Sequence, residues 1–431
     1  MSLIDFGIIL GRSLFVIVFC LTMVPIMIWL ERKIAAVIQD RIGPNRTSIG
    51  FLRLGGIIQV VADAVKIFFK EDVTPKTVNK FYFYLAPFIA GAVCFMTFST
   101  IPFADTLKIG NMSINMQVLN IDAGILWFFA IVSLSVYSVV LAGWSSNSKF
   151  PLLGGIRSSA QMLSYEVPMG LSIIGLLMIF GTAQLNDIVS QQGELLWGVL
   201  PKWGIFLQPV AAIIFIVCAF AETNRNPFDL AEGESELVGG FHTEYSSMKF
   251  GLFFMAEYVS IVVSSGLIVT LFFGGWQVPY LSTEKLIQYS RLLSLISLGG
   301  IGLVSLFLAS SLYTYHQKYK NRWKDSRDYE AIIFSVLSVI VAIMTIGGIG
   351  ALVAFDLPNW YGPIFALIAQ IGIFLVKVFL MCCVFVWVRW TLPRFRYDQL
   401  MDLGWRKLLP LALLNIFVTG AVMLFLGSNN V

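Results

Sequence analysis

Residues 221–245 read AETNRNPFDLAEGESELVGGFHTEY and hold six carboxylates: Glu222, Asp229, Glu232, Glu234, Glu236 and Glu244. The whole chain has only 25 acidic residues, and long apolar segments flank this cluster on both sides. Holding so many like charges beside hydrocarbon is costly unless some of the groups carry protons. Carboxylates kept in that condition gain or lose protons when a neighbouring charge changes. The chemistry on offer is therefore proton or cation handling inside a membrane protein. A solvated acidic loop is the competing reading of any charge run. Here, however, the acids alternate with Leu230, Ala231, Leu237 and Val238, which a solvated loop does not need. Pro227, Gly233, Gly239 and Gly240 argue against one long helix through the segment.

Other charges sit within apolar stretches: Glu166 in SYEVPMG, Glu257 in FMAEY, and Lys377. Ionisable groups at such depth usually face a partner or a polar cavity. For Glu257 and Lys377 a buried pair that only stabilises helix packing is an equal alternative. For Glu166 the following Pro168–Gly170 predicts a break that frees backbone groups. The five cysteines all lie in apolar stretches without CxxC spacing, and the two histidines, His242 and His316, form no cluster. No metal site or disulfide framework is predicted. Any redox chemistry must use cofactors held by other chains.

The first polar segment begins LERKIAAVIQDRIGPN, with Glu31, Arg32 and Lys33 at the end of an apolar stretch. Arg41 and Arg46 flank a Gly43-Pro44-Asn45 turn. In residues 50–70, Gln59, Asp63, Lys66 and Lys70 recur at helical spacing opposite Leu54, Ile57, Ile58, Val61, Val65, Phe68 and Phe69. That pattern predicts an amphipathic helix along the membrane surface, its polar face either a mere anchor or one wall of a cavity against the acidic loop.

These groups need a scaffold, and the composition says which. Hydrophobic residues make up 58% of the 431 and charged residues 13%, about half the roughly 25% of a soluble domain. A spanning helix needs about 20 apolar residues. Ten stretches qualify: Phe6–Leu30, Phe81–Pro102, Ile121–Gly143, Ala160–Phe180, Gly204–Ala221, Phe250–Phe273, Leu292–Tyr313, Ala331–Ala354, Pro363–Trp390 and Leu408–Gly427. The first has no cleavage signature and reads as a retained span. Of the 29 Lys and Arg residues, 23 fall on alternate loops, the acidic loop's side among them. Positive loops stay in the cytoplasm, so the acidic loop is expected there and both termini on the opposite, periplasmic side. The expected fold is an all-α polytopic transmembrane helix bundle.

Six segments together resemble a known family. LERKIAAVIQDRIGPN, QVVADAVKIFFKED, SYEVPMG, AETNRNPFDLAEGESELVGGFHTEY, FFMAEY and RWTLPRFRYDQLMDLGWRKLLPLALLN are similar to one family of membrane subunits of the proton-pumping NADH:quinone oxidoreductase, respiratory complex I. Its mitochondrial counterpart is NADH dehydrogenase subunit 1. The resemblance implies a non-redox membrane subunit joining the redox arm to the membrane arm. Its substrate would be quinone (ubiquinone or menaquinone), with FMN and iron–sulfur clusters held by partner subunits and no metal or catalytic residue in this chain. Partners would be the redox-arm quinone-site subunits, adjacent small membrane subunits and lipid, with no nucleic acid. The location would be a cell inner membrane. Carried onto this chain, Arg32, Arg41, Asp63 and Phe228 would lie along the quinone chamber, with Glu31 and Arg225 beside it. Glu222, Asp229, Glu232, Glu234 and Glu236 would lead inward, and Glu166 and Glu257 would continue the acidic path into the membrane. Arg389, Arg394 and Arg396 would brace the chamber or the subunit interface.

Eight of the ten stretches follow the family pattern, and about 80 residues from Tyr280 to Pro358 interrupt it with the other two. An even number of added spans preserves the orientation downstream. The expected division is a membrane domain over 1–279, an inserted transmembrane hairpin over 280–358 and the last two family spans over 359–431. Two alternatives compete. One is the equivalent subunit of a membrane hydrogenase or other quinone-linked dehydrogenase. The other is a stand-alone cation or proton transporter, which predicts internal inverted repeats that the sequence lacks.

Overall fold

The computed structural model describes residues 3–49, 53–110, 112–196, 198–229, 240–319 and 327–428. Glu232, Glu234 and Glu236 lie outside these residues. Helix α1 (Leu3–Ile38) is 36 residues long, about 54 Å at roughly 1.5 Å per residue. That exceeds the ~30 Å of bilayer hydrocarbon, so α1 both spans and projects. After a 3-10 turn at Leu54–Gly56 comes α2 (Ile58–Phe69), then the spans α3 (Lys80–Phe98), α4 (Gly124–Ser145) and α5 (Lys149–Phe180). A small hairpin of β1 (Leu107–Ile109) and β2 (Met112–Ile114) pairs Leu107 with Ile114 between α3 and α4. Next are α6 (Leu185–Gln192), a second hairpin, β3 (Leu195–Leu196) and β4 (Leu200–Pro201), then α7 (Gly204–Leu207) and α8 (Pro209–Glu222). The span α9 (Ser247–Phe272) leads to α10 (Thr283–Gln288), capped by the Ser282 hydroxyl, and to the paired α11 (Ser290–Tyr319) and α12 (Arg327–Ala354). The chain closes with α13 (Tyr361–Thr391) and α14 (Tyr397–Asp402), the latter continued through a π-helical turn into α15 (Leu409–Ser428).

Among the described residues nine helices are long and apolar enough to cross a membrane, one fewer than the sequence predicts. The missing one is the predicted Gly204–Ala221 span. Pro209 cannot donate a backbone hydrogen bond and disfavours helical geometry in the residue before it. Gln208 accordingly adopts φ −137° and ψ 64°, splitting the stretch into α7 and the 14-residue α8. The side chain of Gln208 fills the break, donating to Thr419 Oγ1 at 2.7 Å and accepting from Asn415 Nδ2 at 2.8 Å, both on α15. The predicted break at Pro168–Gly170 is absent. Pro168 lies inside the continuous α5, where only its own backbone donor is lost. The amphipathic helix is shorter than its predicted bounds but keeps both faces: Gln59 Nε2 donates to Asp63 Oδ1 at 3.1 Å, while Val61, Val65, Phe68 and Phe69 stand exposed.

The core centres on α9, which packs against α1, α3 and α13. Its central stretch is 67% buried, against 22% for α11 and 17% for α12, which form a peripheral pair. A second layer is built by α5 on α4, α8 and α15.

Lys377 has a structural explanation. Its ammonium donates to the carbonyls of Phe273, Gly275 and Gln277 at 2.9, 3.0 and 2.9 Å and stacks over Trp203 at 5.1 Å. These carbonyls follow the C-terminal end of α9, where a cation offsets the helix dipole. Lys377→Met should leave three carbonyls unsatisfied, each costing about 1–3 kcal/mol. The expected outcome is a clearly lowered thermal midpoint in detergent; an unchanged midpoint would show that these carbonyls find other donors.

Candidate functional site

Where the C-terminal turns of α1 and α13, the N-terminal half of α5, the end of α8 and the start of α9 converge, Arg225 is the central charge. It follows α8 by three residues and is 5% exposed. Its Nε lies 2.6 Å from Glu257 Oε1 on α9, its Nη1 3.7 Å from Glu31 Oε2 on α1, and its guanidinium 4.3 Å over the Tyr258 ring. Tyr258 donates its hydroxyl to Glu31 Oε2 at 2.7 Å, and Arg389 of α13 pairs with the other oxygen of Glu31. Burial works against the charge on Arg225, but Glu257, Tyr258 and Glu31 overcome it and raise its affinity for the proton. Two carboxylates, two guanidiniums and a phenol thus form one network, in which removing a charged member leaves its partner's charge less compensated and removing the phenol costs Glu31 a hydrogen-bond donor.

The segment carrying Arg225 is fastened from both sides. Gln161 Nε2 on α5 donates to the carbonyls of Ala221 and Phe228, each at 2.7 Å, and to Asn224 Oδ1 at 3.1 Å. Asn226 Nδ2 donates to the Arg389 carbonyl at 2.9 Å, and Phe395 N–H donates to the Pro227 carbonyl at 3.0 Å. Phe228 is 4% exposed, with its ring 5.4 Å from both Tyr165 and Phe395. Its burial between those rings fastens the loop that carries Arg225. At the far end of the loop, Gly240 lies so close to α5 that a Cβ on Gly154 would be 2.8 Å from the Gly240 carbonyl carbon.

Below the network, between α3, α4, α5 and α9, is a cavity of about 290 Å³. Glu222, Glu257, His242, Ser138, Ser260 and Thr97 are among the groups that line it. Glu166 stands beside Ser133 of α4 and within electrostatic reach of Glu222. The structure therefore brings Glu31, Arg225, Glu257, Glu222 and Glu166 into one region, as their types suggest. Asp229 is close by and pairs with Arg394 at 3.4 Å. Arg32 and Asp63 form a separate, half-exposed pair at 2.5 Å. Arg41 is exposed and donates to Gln39 at 2.8 Å, away from both groups. Arg396 meets Asp398 on the surface at 3.7 Å.

Three residues in this region were not singled out from the sequence. Tyr258 adjoins Glu257 in FFMAEY, and its neighbour was the only signal. Gln161 is a fully buried amide five residues before Glu166 on α5, and buried amides seek backbone partners. Lys249 is 6% exposed and ties α9 to the first polar segment through Asp72 at 2.9 Å and Thr74 Oγ1 at 2.6 Å.

A polytopic helix bundle with a buried ion-pair network beside a mostly apolar cavity that carboxylates and hydroxyls also line defines a multi-pass membrane protein with a buried charge centre. The chain belongs to the NADH dehydrogenase family, which it matches over residues 12–324 and 327–420. The H subunit of the NADH-quinone oxidoreductase of Flavobacterium psychrophilum is 40% identical over 97% of this chain and 99% of its own length. The same-named proteins of Bdellovibrio bacteriovorus and Leptospira biflexa are 39% and 40% identical, covering 93% and 88% of this chain and 92% and 85% of their own lengths. An alignment that takes in 97% of the chain runs through residues 280–358 as well, so that segment is shared with the Flavobacterium protein.

The cavity gives a pH expectation. Burial lowers the His242 imidazole from 6.5 to about 4, with Asp229 opposing the shift. The folded state thus holds the neutral ring, while the unfolded chain takes up a proton below pH 6.5. The contribution of His242 is complete above that value and declines as pH falls toward 4. His242→Phe should recover on the order of 1–2 kcal/mol at about pH 5 and leave stability near pH 7.5 little changed. Thermal midpoints of both proteins at the two pH values check this; an equal acid loss in both would place the sensitivity elsewhere.

Proposed function

We propose that this chain is the membrane subunit of a proton-translocating NADH:quinone oxidoreductase, forming much of the quinone chamber and the acidic path that couples quinone reduction to proton movement. The observation that carries the reading is Arg225 held between Glu31 and Glu257 at the mouth of a cavity lined by Glu222. The names of its relatives point the same way. In this reading α7 and α8 together make the tenth crossing, and the complex lies in a cell inner membrane with the termini periplasmic and the acidic loop cytoplasmic. The redox-arm subunits hold FMN and the iron–sulfur clusters and deliver electrons to quinone. Residues 280–358 form an appended transmembrane hairpin.

Quinone becomes quinol by taking two electrons and two protons, passing through anionic character when electrons arrive first. A negative charge arriving beside Arg32 and Asp63 or near Arg225 competes with the carboxylates for the guanidiniums. Glu31 or Glu257, losing part of its cation, then favours its protonated form, and Glu222 and Glu166 lie next along the acidic path. Glu232, Glu234 and Glu236 would supply further acceptors in the loop. The network thereby converts quinone redox state into a protonation change, a coupling between two sites.

The test uses complex purified in mild detergent through a tag on this chain. Rotenone-type inhibitors should block its NADH-driven quinone reduction. A small particle without redox partners that moves cations in liposomes would instead support the transporter alternative. Arg225→Gln should depress quinone reduction and proton pumping by about tenfold or more, since it removes the cation shared by two buried carboxylates. Arg225→Lys, which keeps the charge but not the fork, should restore part of both. Glu232→Gln and Glu234→Gln should lower turnover and pumping together, and wild-type values for both in assembled complex would sink the coupling role of the loop.

A further inference from the structure

The peripheral pair α11 and α12 packs chiefly on itself, with α11 also touching α10 and α13. Arg291 donates to the carbonyls of Leu352, Val353 and Phe355 at one end, and His316 Nδ1 lies 2.8 Å from the Asp328 carbonyl at the other. Midway, Ser335 Oγ donates to the Ala309 carbonyl at 2.8 Å. None of these contacts uses Glu330, in the first turn of α12. Glu330 instead leaves the pair: its Oε1 accepts the backbone N–H of Arg53 at 2.7 Å, and its charge reaches Lys33 at the end of α1.

Arg53 opens a tightly built structure. Its Nη1 donates back to the Asn45 carbonyl at 3.3 Å, onto the Gly43-Pro44-Asn45 turn. Gly56, at φ 96°, lies against that turn so closely that a Cβ would be 2.1 Å from the Pro44 carbonyl oxygen. Trp29 of α1 donates to the Gly55 carbonyl at 3.2 Å. Thr47 donates to Gln59, Gln59 donates to Asp63 at 3.1 Å, and Asp63 pairs with Arg32 at 2.5 Å. A continuous set of contacts thus runs from Glu330 through the turn to the Arg32–Asp63 pair.

We propose that Glu330 is a positioning residue for quinone binding: by holding the Arg53 backbone it fixes the first polar segment and, through it, the placement of Arg32 and Asp63. The α11–α12 pair is then a strut for the chamber's first wall rather than lipid-facing padding. This rests on the chamber reading of Arg32 and Asp63 given above.

The experiment measures NADH-driven reduction of a short-chain ubiquinone analogue by assembled complex, normalised to ferricyanide reduction at the redox arm. Glu330→Leu, which removes the acceptor, should raise the quinone KM by about 3- to 10-fold, the scale of effects carried through contiguous contacts. Its kcat at saturating quinone should be little changed. Glu330→Gln keeps a carbonyl able to accept from Arg53 and should stay within about twofold of wild type. Where Glu330→Leu does not assemble, Glu330→Asp, one methylene shorter, is measured instead, with the same direction expected. A wild-type KM in Glu330→Leu, or in Glu330→Asp where it stands in, or loss of assembly in all of the variants, overturns the proposal. Asp63→Asn separates the two levels. If it too leaves KM unchanged, the chamber reading fails; if it alone raises KM, only the strut does.

Discussion

A guanidinium that is 5% exposed must be neutralised where it sits, and Arg225 sets that requirement for the whole molecule. The compensating groups come from α1, α9 and α13, which are far apart in the chain: Glu31, Glu257 with Tyr258, and Arg389 balancing Glu31 in turn. Removing one partner of such a pair typically costs about 3–5 kcal/mol. The helices that supply the partners are therefore held in register by charge as well as by packing. That arrangement also explains why the following segment is fastened so thoroughly by Gln161, Asn226 and Phe228: a displaced loop would strand the cation.

In the proposed function the same balance makes the site responsive. A network in which two carboxylates share two guanidiniums has no spare charge, so any anion that approaches must shift a proton or break a pair. The cavity beneath, with Glu222 at its rim and hydroxyls along its walls, gives a displaced proton polar neighbours inside an otherwise apolar bundle. Lys377 shows the contrasting use of a buried charge. It faces three carbonyls and an aromatic ring and serves the end of α9. The two cations thus have different work, decided by what surrounds them.

Much of this was legible from residue types and spacing. Apolar runs placed nearly every span, because the bilayer demands a fixed length of hydrocarbon-compatible helix. The polar spacing in residues 58–69 marked the amphipathic helix, since the helical repeat alone decides which side chains share a face. Two readings failed for opposite reasons. Pro209 breaks its stretch because α15 offers Asn415 and Thr419 to satisfy the interrupted backbone's neighbour Gln208. Pro168 does not break α5, because the packing of α5 against α4, α8 and α15 holds the helix through one missing hydrogen bond.

The sequence by itself determined the class of molecule, the chemistry of its charged residues and the segments that carry them, because these depend on local hydrophobicity, charge and periodicity. Only the tertiary structure decided who partners whom. It joined Arg225 to Glu31 and Glu257, set Arg41 and Arg396 outside the network, buried Phe228 against Tyr165, and brought Glu330 across to Arg53. Pairing across hundreds of residues depends on how whole helices pack, and on which buried charges that packing can satisfy together, neither of which is written in any local pattern.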